Sequence, residues 1–427
     1  MEKDLIKLLI AEYQQKVIEI SFQERIYSLE DSLNYVFTGL RRAGKSYMMY
    51  QRIRHILDAG HVKDEILYFN FEDDRIDSFT SGDLDRIKMS YEEMYDCKPV
   101  FFLDEIQIVD HWEKFARRLA DQGYRVYVTG SNAKMLSSEI TTTLGGRYVI
   151  QNIYPYSFLE YLTGLNIDVA DKNFIYRYRT KITKAYEVYF RYGGLPELIK
   201  VTDKRAWLSN LYQKIFLGDL ITRYQIRNVF ALQVLIRKLA ESVKQPASFN
   251  RLASVVSSSG KKISTYTVID YLDYLRESWL VFSVENIASK LVDKIANKKY
   301  YFTDNGILNL FLIDPLTSLL ENQVAIQLRR WFGEDIYYYK HNIEVDFYVP
   351  TVQLAVQVCH SLYDIETRKR EIQALVKMSA QIDVASMLII TKDEEETILE
   401  HGFTIQVIPV WKWLCQANIE STPKSQI

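Results

Sequence analysis

The chain of 427 residues has 48% apolar and 25% charged side chains and a formal net charge of −2, an ordinary globular mix with material for two or three domains at about 150 residues each. That balance excludes an all-over basic surface and leaves only a local patch for any nucleic acid. Cys97, Cys359 and Cys415 are too scattered for a disulfide framework or a zinc set and fit a reducing, cytoplasmic setting; no apolar run approaches the roughly 18 residues of a membrane span.

Residues 1–30 read as a charged amphipathic helix and a connector, without the apolar core of a signal peptide. Residues 33–38 (LNYVFT) form a short β-rich run that stops at Gly39, and 45–57 have helical spacing. Strands follow at 65–71 (EILYFNF), 99–103 (PVFFL), 125–129 (RVYVT) and 147–153 (RYVIQNI), with Trp112, Phe115 and Leu119 at helical spacing between two of them. Apolar strands alternating with amphipathic helices predict an α/β fold, a parallel sheet covered on both faces, with RVYVT between the first and third strands.

From about 154 the strands stop. Residues 154–235 are helical and tyrosine-rich, broken by GGLP at 193–196. Residues 236–306 have the order of a winged helix: helices around 239–243, 249–255 and 265–278, the last with Val268, Tyr271, Leu272 and Leu275 on one face, then a two-stranded wing from 280–284 and 299–303. From about 318 a small mixed α/β unit begins, with a helix at 321–331, strands at 336–340, 344–348 and 354–359, a helix at 368–379, and strands at 384–391 and 404–409. The expected segments are therefore 1–153, 154–235, 236–317 and 318–427.

Chemistry concentrates at the strand ends. GLRRAGKS at 39–46 matches G-x-x-x-x-G-K-[ST]. Gly39 and Gly44 let the backbone curl, so that loop N–H groups, those of Arg42 and Ala43 among them, point at phosphate oxygens. The side chains of Arg41 and Arg42 read as solvated. Lys45 supplies positive charge to the β- and γ-phosphates, and the Ser46 hydroxyl can ligate Mg²⁺. This predicts an ATP and Mg²⁺ site; the bland alternative, a glycine-basic turn, does not need the strand before it and the helix after it. The strand VFFL delivers Asp104, placed to hold Mg²⁺ through water, and Glu105, placed to polarise the attacking water as a base. The plain alternative is a strand ending in solvated acids. In Gly130-Ser131-Asn132, Asn132, or alternatively Ser131, can orient that water, unless this is only a polar turn. Arg147 is a candidate arginine finger, acting from a neighbouring subunit in an oligomer, or else a surface arginine.

Together GLRRAGKS, FFLDEIQ (101–107), TGSN (129–132), LGGR (144–147), YGGLPE (192–197) and KYYFTDNG (299–306) resemble a bacterial and archaeal family of AAA+ ATPases. The resemblance is specific over the first 150 residues and looser beyond. It implies an AAA+ core over 1–153, a helical lid over 154–235, a winged helix over 236–317 and, over 318–427, a domain similar to the restriction-endonuclease-like fold. That fold's signature is a helical Glu, a strand Asp and [E/Q]-x-K, whose carboxylates hold Mg²⁺. Glu321, Asp346 and Gln357 take the first three places, but Cys359 stands where the lysine belongs and cannot supply a fixed cation. The expectation is a catalytically degenerate remnant used for binding or assembly, with Lys340 or Lys369 as substitutes should a lysine migrate.

Lys261, Lys262, Lys290, Lys294, Lys298 and Lys299 around the wing can contact DNA phosphates. Asp270 and Asp273 on the would-be recognition helix favour a protein partner instead. The leading expectation is a Mg²⁺-dependent ATPase whose cycle moves lid and winged helix to act on DNA or a protein partner. The alternative is a nucleotide-gated switch with negligible turnover, and the third reading an ATP-regulated nuclease.

Overall fold

Runs of Val, Ile, Phe and Tyr, each about five residues long, become the strands of the first unit. In the computed structural model, which describes residues 3–131, 142–171, 173–260 and 262–416, these are β1 (Asn34–Thr38), β2 (Ile66–Asn70), β3 (Val100–Asp104), β4 (Arg125–Gly130) and β5 (Tyr148–Asn152). All pair in parallel, in the order β2-β3-β4-β1-β5. β1 is central: Val36 lies opposite Val128 on one side and Ile150 on the other. Helices α1 (Lys3–Glu19), α2 (Lys45–Asp58), α3 (Leu84–Glu92) and α4 (Trp112–Asp121) flank the sheet, which is why its strands read as continuous apolar runs rather than alternating ones. Inside, Tyr127 stacks on Phe102 at 4.8 Å and on Tyr35 at 6.0 Å between centroids. This is the sheet of a P-loop NTPase, and its consequence for function is directional: every strand delivers its C-terminal end to the same rim.

The chain divides into Met1–Tyr154 with Glu277–Trp279 and Pro155–Arg276 with Leu280–Ile427. In the second unit helices come first: Phe158–Gly164, Arg179–Tyr192, Lys204–Lys214 and Val229–Glu241, with one stretch, Ile215–Thr222, wound as a π-helix. β6 (Ala247–Ser248), the helices Phe249–Ser258 and Thr265–Glu277, β7 (Val281–Asn286) and β8 (Asn297–Phe302) then follow in winged-helix order. The C-terminal strands are β9 (Tyr337–Lys340), β10 (Glu344–Val349), β11 (Leu354–Val358), β12 (Ser386–Thr391), β13 (Glu396–Glu400) and β14 (Phe403–Pro409).

β7 and β8 pair antiparallel as the expected two-stranded wing, and that wing is part of one mixed sheet of order β13-β14-β12-β11-β10-β9-β7-β8-β6. β7 pairs in parallel with β9 at Glu285↔Tyr337 and Asn286↔Tyr338. Asn286 secures that seam, its amide donating to Lys340 O at 2.8 Å and accepting from Lys340 N at 3.0 Å. The physical reason is edge satisfaction: an isolated ribbon leaves unpaired N–H and C=O groups that a neighbouring strand absorbs. Residues 236–317 and 318–416 thus share a sheet. No helix among the described residues is long and apolar enough to cross a membrane.

Candidate functional site

The loop after β1 owes its shape to three positive-φ residues, Gly39 (φ 149°), Arg42 (φ 63°) and Gly44 (φ 99°). Gly39 is obligatory on packing as well: a Cβ there would lie 2.1 Å from Ile153 O. Gly44 is the N-cap of α2, so the first-turn N–H groups of that helix face back into the loop with the positive end of its dipole. Ala43 is fully buried, and its carbonyl accepts from Arg25 at 2.9 Å. Arg25 also donates to Tyr154 O at 2.9 Å and is itself only 5% exposed. Nothing in the sequence marked Arg25; its only local cue is an arginine in the connector before β1.

Lys45 heads α2, 4% exposed, with its Nζ 3.3 Å from Gly39 O, 3.4 Å from Leu40 O and 3.7 Å from Glu105 Oε1. Asp104 ends β3 in full burial. Tyr68, Thr129 and Ser46 all donate to its carboxylate. Burial pushes the Asp104 carboxyl up and the neighbouring Glu105 adds to this; the three hydroxyl bonds only moderate it. Glu105 is also pushed up by burial, but Lys45 first, then Gln107 and Arg41, outweigh that and hold it below the ordinary glutamate value. Its backbone is left-handed (φ 54°) and pinned by a 2.8 Å bond from its N–H to Thr129 Oγ1.

The structure therefore brings Gly39, Arg42, Ala43, Gly44, Lys45, Ser46, Asp104 and Glu105 together at the C-terminal rim of β1 and β3. Asn132 lies outside the described residues. Arg147 is placed elsewhere: it directly precedes β5, its carbonyl accepts from Asn34 at the start of β1 at 3.1 Å, and its guanidinium pairs with Asp121. A parallel strand of five residues, about 16 Å, separates that end of the sheet from the phosphate loop. Arg147 therefore does not reach the phosphate loop of its own chain, and the expected role, from a neighbouring subunit, is untouched by this placement. The sequence already placed Arg147 at the start of the strand 147–153, and the structure agrees.

The residues fit a magnesium ion at the loop. A buried pair of adjacent carboxylates needs positive charge beyond one lysine, and the Ser46–Asp104 hydrogen bond shows hydroxyl and carboxylate already converging.

A second cluster lies in the C-terminal sheet. Glu321 on the helix Leu316–Phe332 and Asp346 on β10 converge, as the resemblance implied. The lysine that joins them is neither Lys340, which pairs with Glu344 at 2.7 Å, nor Lys369. It is Lys299 of β8, 0% exposed and bonded to both. Lys299, expected among the wing lysines that can contact DNA phosphates, is buried instead, because β8 joins the sheet. Burial opposes the Lys299 charge, but Glu321, Asp346 and Glu344 outweigh it and raise its pKa. Gln357 on β11 donates to Glu371 Oε2 at 2.8 Å and accepts from Asp346 N at 2.9 Å. Burial pushes the Cys359 thiol up to about 12, so it stays neutral. Lys298 pairs with Glu285 at 2.8 Å.

Comparison with known proteins agrees with the class of the fold. Residues 31–162 match an AAA domain, and residues 183–317 a domain of unknown function (DUF8612). The chain belongs to the AAA+ family of ATPases. It is 32% identical over 394 residues to an uncharacterized protein of Methanocaldococcus jannaschii, MJ1544, covering 88% of this chain and 87% of that one. An uncharacterized protein of Haemophilus influenzae is 30% identical over 398 residues, covering 89% and 94%. Among solved structures, a Walker-type ATPase of Pyrococcus abyssi is similar with 13% identity and a TM-score of 0.42, over 71% of this chain and 95% of that one.

Proposed function

We propose that the protein binds ATP with Mg²⁺ at residues 39–46 and hydrolyses it. The observation that carries this reading is the meeting at one buried rim of Lys45 with Glu105, at 3.7 Å, and of Ser46 with Asp104. Loop N–H groups and Lys45 grip the triphosphate; Ser46 and Asp104 hold the metal, which when bound neutralises charge on the phosphate oxygens. Glu105, kept anionic by Lys45, takes a proton from water as the water oxygen bonds to the γ-phosphorus. The bond from that phosphorus to the β–γ bridging oxygen breaks, and ADP leaves with the bridging electrons. Asn132 and, from a second copy of the chain, Arg147 are proposed helpers, the first orienting water and the second neutralising the γ-phosphate. The four expected segments would then act as core, lid, winged helix and C-terminal domain, and hydrolysis would drive motion acting on DNA or a protein partner.

Replacing Glu105 by Gln tests the enzymatic reading against a switch that holds ATP without turning it over. Loss of a general base should lower phosphate release by roughly 10²–10⁴-fold while ATP stays bound. Equal release by variant and wild type would overturn the role of Glu105, and no release by the wild type would favour the switch.

A further inference from the structure

Two carboxylates of β10 and one of the helix Leu316–Phe332 converge on a cation that is part of the chain. Lys299 Nζ lies 3.1 Å from Glu344 Oε1, 3.3 Å from Glu321 Oε1 and 3.4 Å from Asp346 Oδ1. An ammonium has three N–H donors, and three carboxylates stand within reach of them. The same carboxylates serve further protein donors. Tyr301 donates to Glu321 Oε1 at 2.8 Å, Val358 N–H to Asp346 Oδ2 at 2.9 Å, and Lys340 to Glu344 Oε2 at 2.7 Å. Gln357 brings no negative charge, and its amide is engaged with Glu371 and with the Glu344 carbonyl at 3.2 Å. Among the described residues no group of three or more His, Cys, Asp and Glu is disposed to hold a metal ion.

We propose that Lys299 permanently replaces the divalent cation that such a carboxylate set would otherwise hold. The cavity of about 820 Å³ beside it, lined by Glu321, Asp346, Gln357, Lys369, Arg370 and Lys377 among others, then neither takes up Mg²⁺ or Mn²⁺ nor cuts phosphodiesters. A hydrolytic metal does two things here: it cancels carboxylate charge, and it offers an open coordination position where water becomes hydroxide. An ammonium on a strand does only the first. It cannot leave, and it has no empty orbital for water. The substitution keeps the buried acids compatible with folding and removes the chemistry. It also accounts for Gln357 and Cys359: with the cation supplied from β8, neither an anion nor a lysine is needed on β11. This inference is independent of whether the phosphate loop turns over ATP.

The test uses the full-length, nucleotide-free chain. Mn²⁺ is titrated by electron paramagnetic resonance, and supercoiled plasmid is incubated with Mg²⁺ or Mn²⁺. Wild type and Asp346→Asn should show the same Mn²⁺ uptake and leave the plasmid intact. Lys299→Met should gain one Mn²⁺ per chain and melt at a temperature that rises with added Mn²⁺. Uptake or nicking by the wild type that Asp346→Asn abolishes would overturn the proposal, as would a folded Lys299→Met that gains no Mn²⁺. Should Lys299→Met fail to fold, the comparison of wild type with Asp346→Asn still decides.

Discussion

Replacing Asp304 by asparagine should remove a pH dependence from the stability of the second unit. The Asp304 carboxylate is 2% exposed and occupies space that only glycines leave open: a Cβ on Gly193 would lie 2.0 Å from its Oδ1. It accepts from Gly194 N and Gly306 N, each at 2.8 Å, and from Ile307 N at 3.4 Å. Burial raises its pKa from 3.8 to about 6, against the pull of those three N–H groups. The difference, 6 − 3.8 = 2.2, is worth about 3 kcal/mol at ~1.36 kcal/mol per unit. Because the folded value is the higher one, the folded chain retains a proton across the window from about 4 to 6 that the unfolded chain has lost. Stability from this group is therefore present in full at about pH 4 and lost as pH rises through about 6. Urea unfolding, followed in parallel by far-UV circular dichroism and tryptophan fluorescence, gives a free energy where the two transitions coincide. The stability of wild type relative to Asp304→Asn should fall by about 2–3 kcal/mol between pH 4 and 7. A difference that stays flat, or grows, across that range would refute the assignment of a buried, strongly perturbed carboxyl to Asp304.

Other substitutions probe the nucleotide rim. Lys45→Ala should keep the fold and weaken ATP binding by tenfold or more, since a charge-assisted hydrogen bond is worth about 1.5–3 kcal/mol; unchanged affinity in calorimetry would contradict the placement of Lys45 on phosphate. In Gly39→Ala the new Cβ meets Ile153 O at 2.1 Å, so the loop must move; ATP affinity should fall while the far-UV spectrum stays native, and wild-type affinity would show the loop tolerates the shift. Arg147→Ala should cost under about 1 kcal/mol of stability, because its partner Asp121 is exposed. If a second copy supplies this arginine, hydrolysis per chain should rise with wild-type protein concentration and drop on substitution; flat specific activity in dilution would remove Arg147 from the reaction.

The first sheet was legible because its strands, about five residues each and apolar throughout, are separated by helices with one apolar face. The phosphate loop was legible for a different reason: eight consecutive residues carry the curl, the ammonium and the hydroxyl, and the observed left-handed backbone at Gly39 and Gly44 is what that spacing demands. The short edge strands were harder. β13 (Glu396–Glu400) has a single buried residue, Ile398, and so no alternation strong enough to read. β6 is two residues long. YGG and DNG looked like unconnected motifs, yet Gly193 and Gly306 exist to admit the Asp304 carboxylate and the Tyr192 carbonyl.

By itself the sequence determined what depends on neighbours along the chain: the loop that turns back on its own helix, the paired acids at the end of β3, the alternation that makes a parallel sheet. Tertiary structure alone decided where separate segments meet. It carried the wing into the C-terminal sheet through β7 and β9, and brought Lys299 to carboxylates 22 and 47 residues away. Those outcomes rest on which strand edges pair and on how a buried charge finds its counter-charge. Both are settled by packing across the whole unit, and no local spacing encodes them.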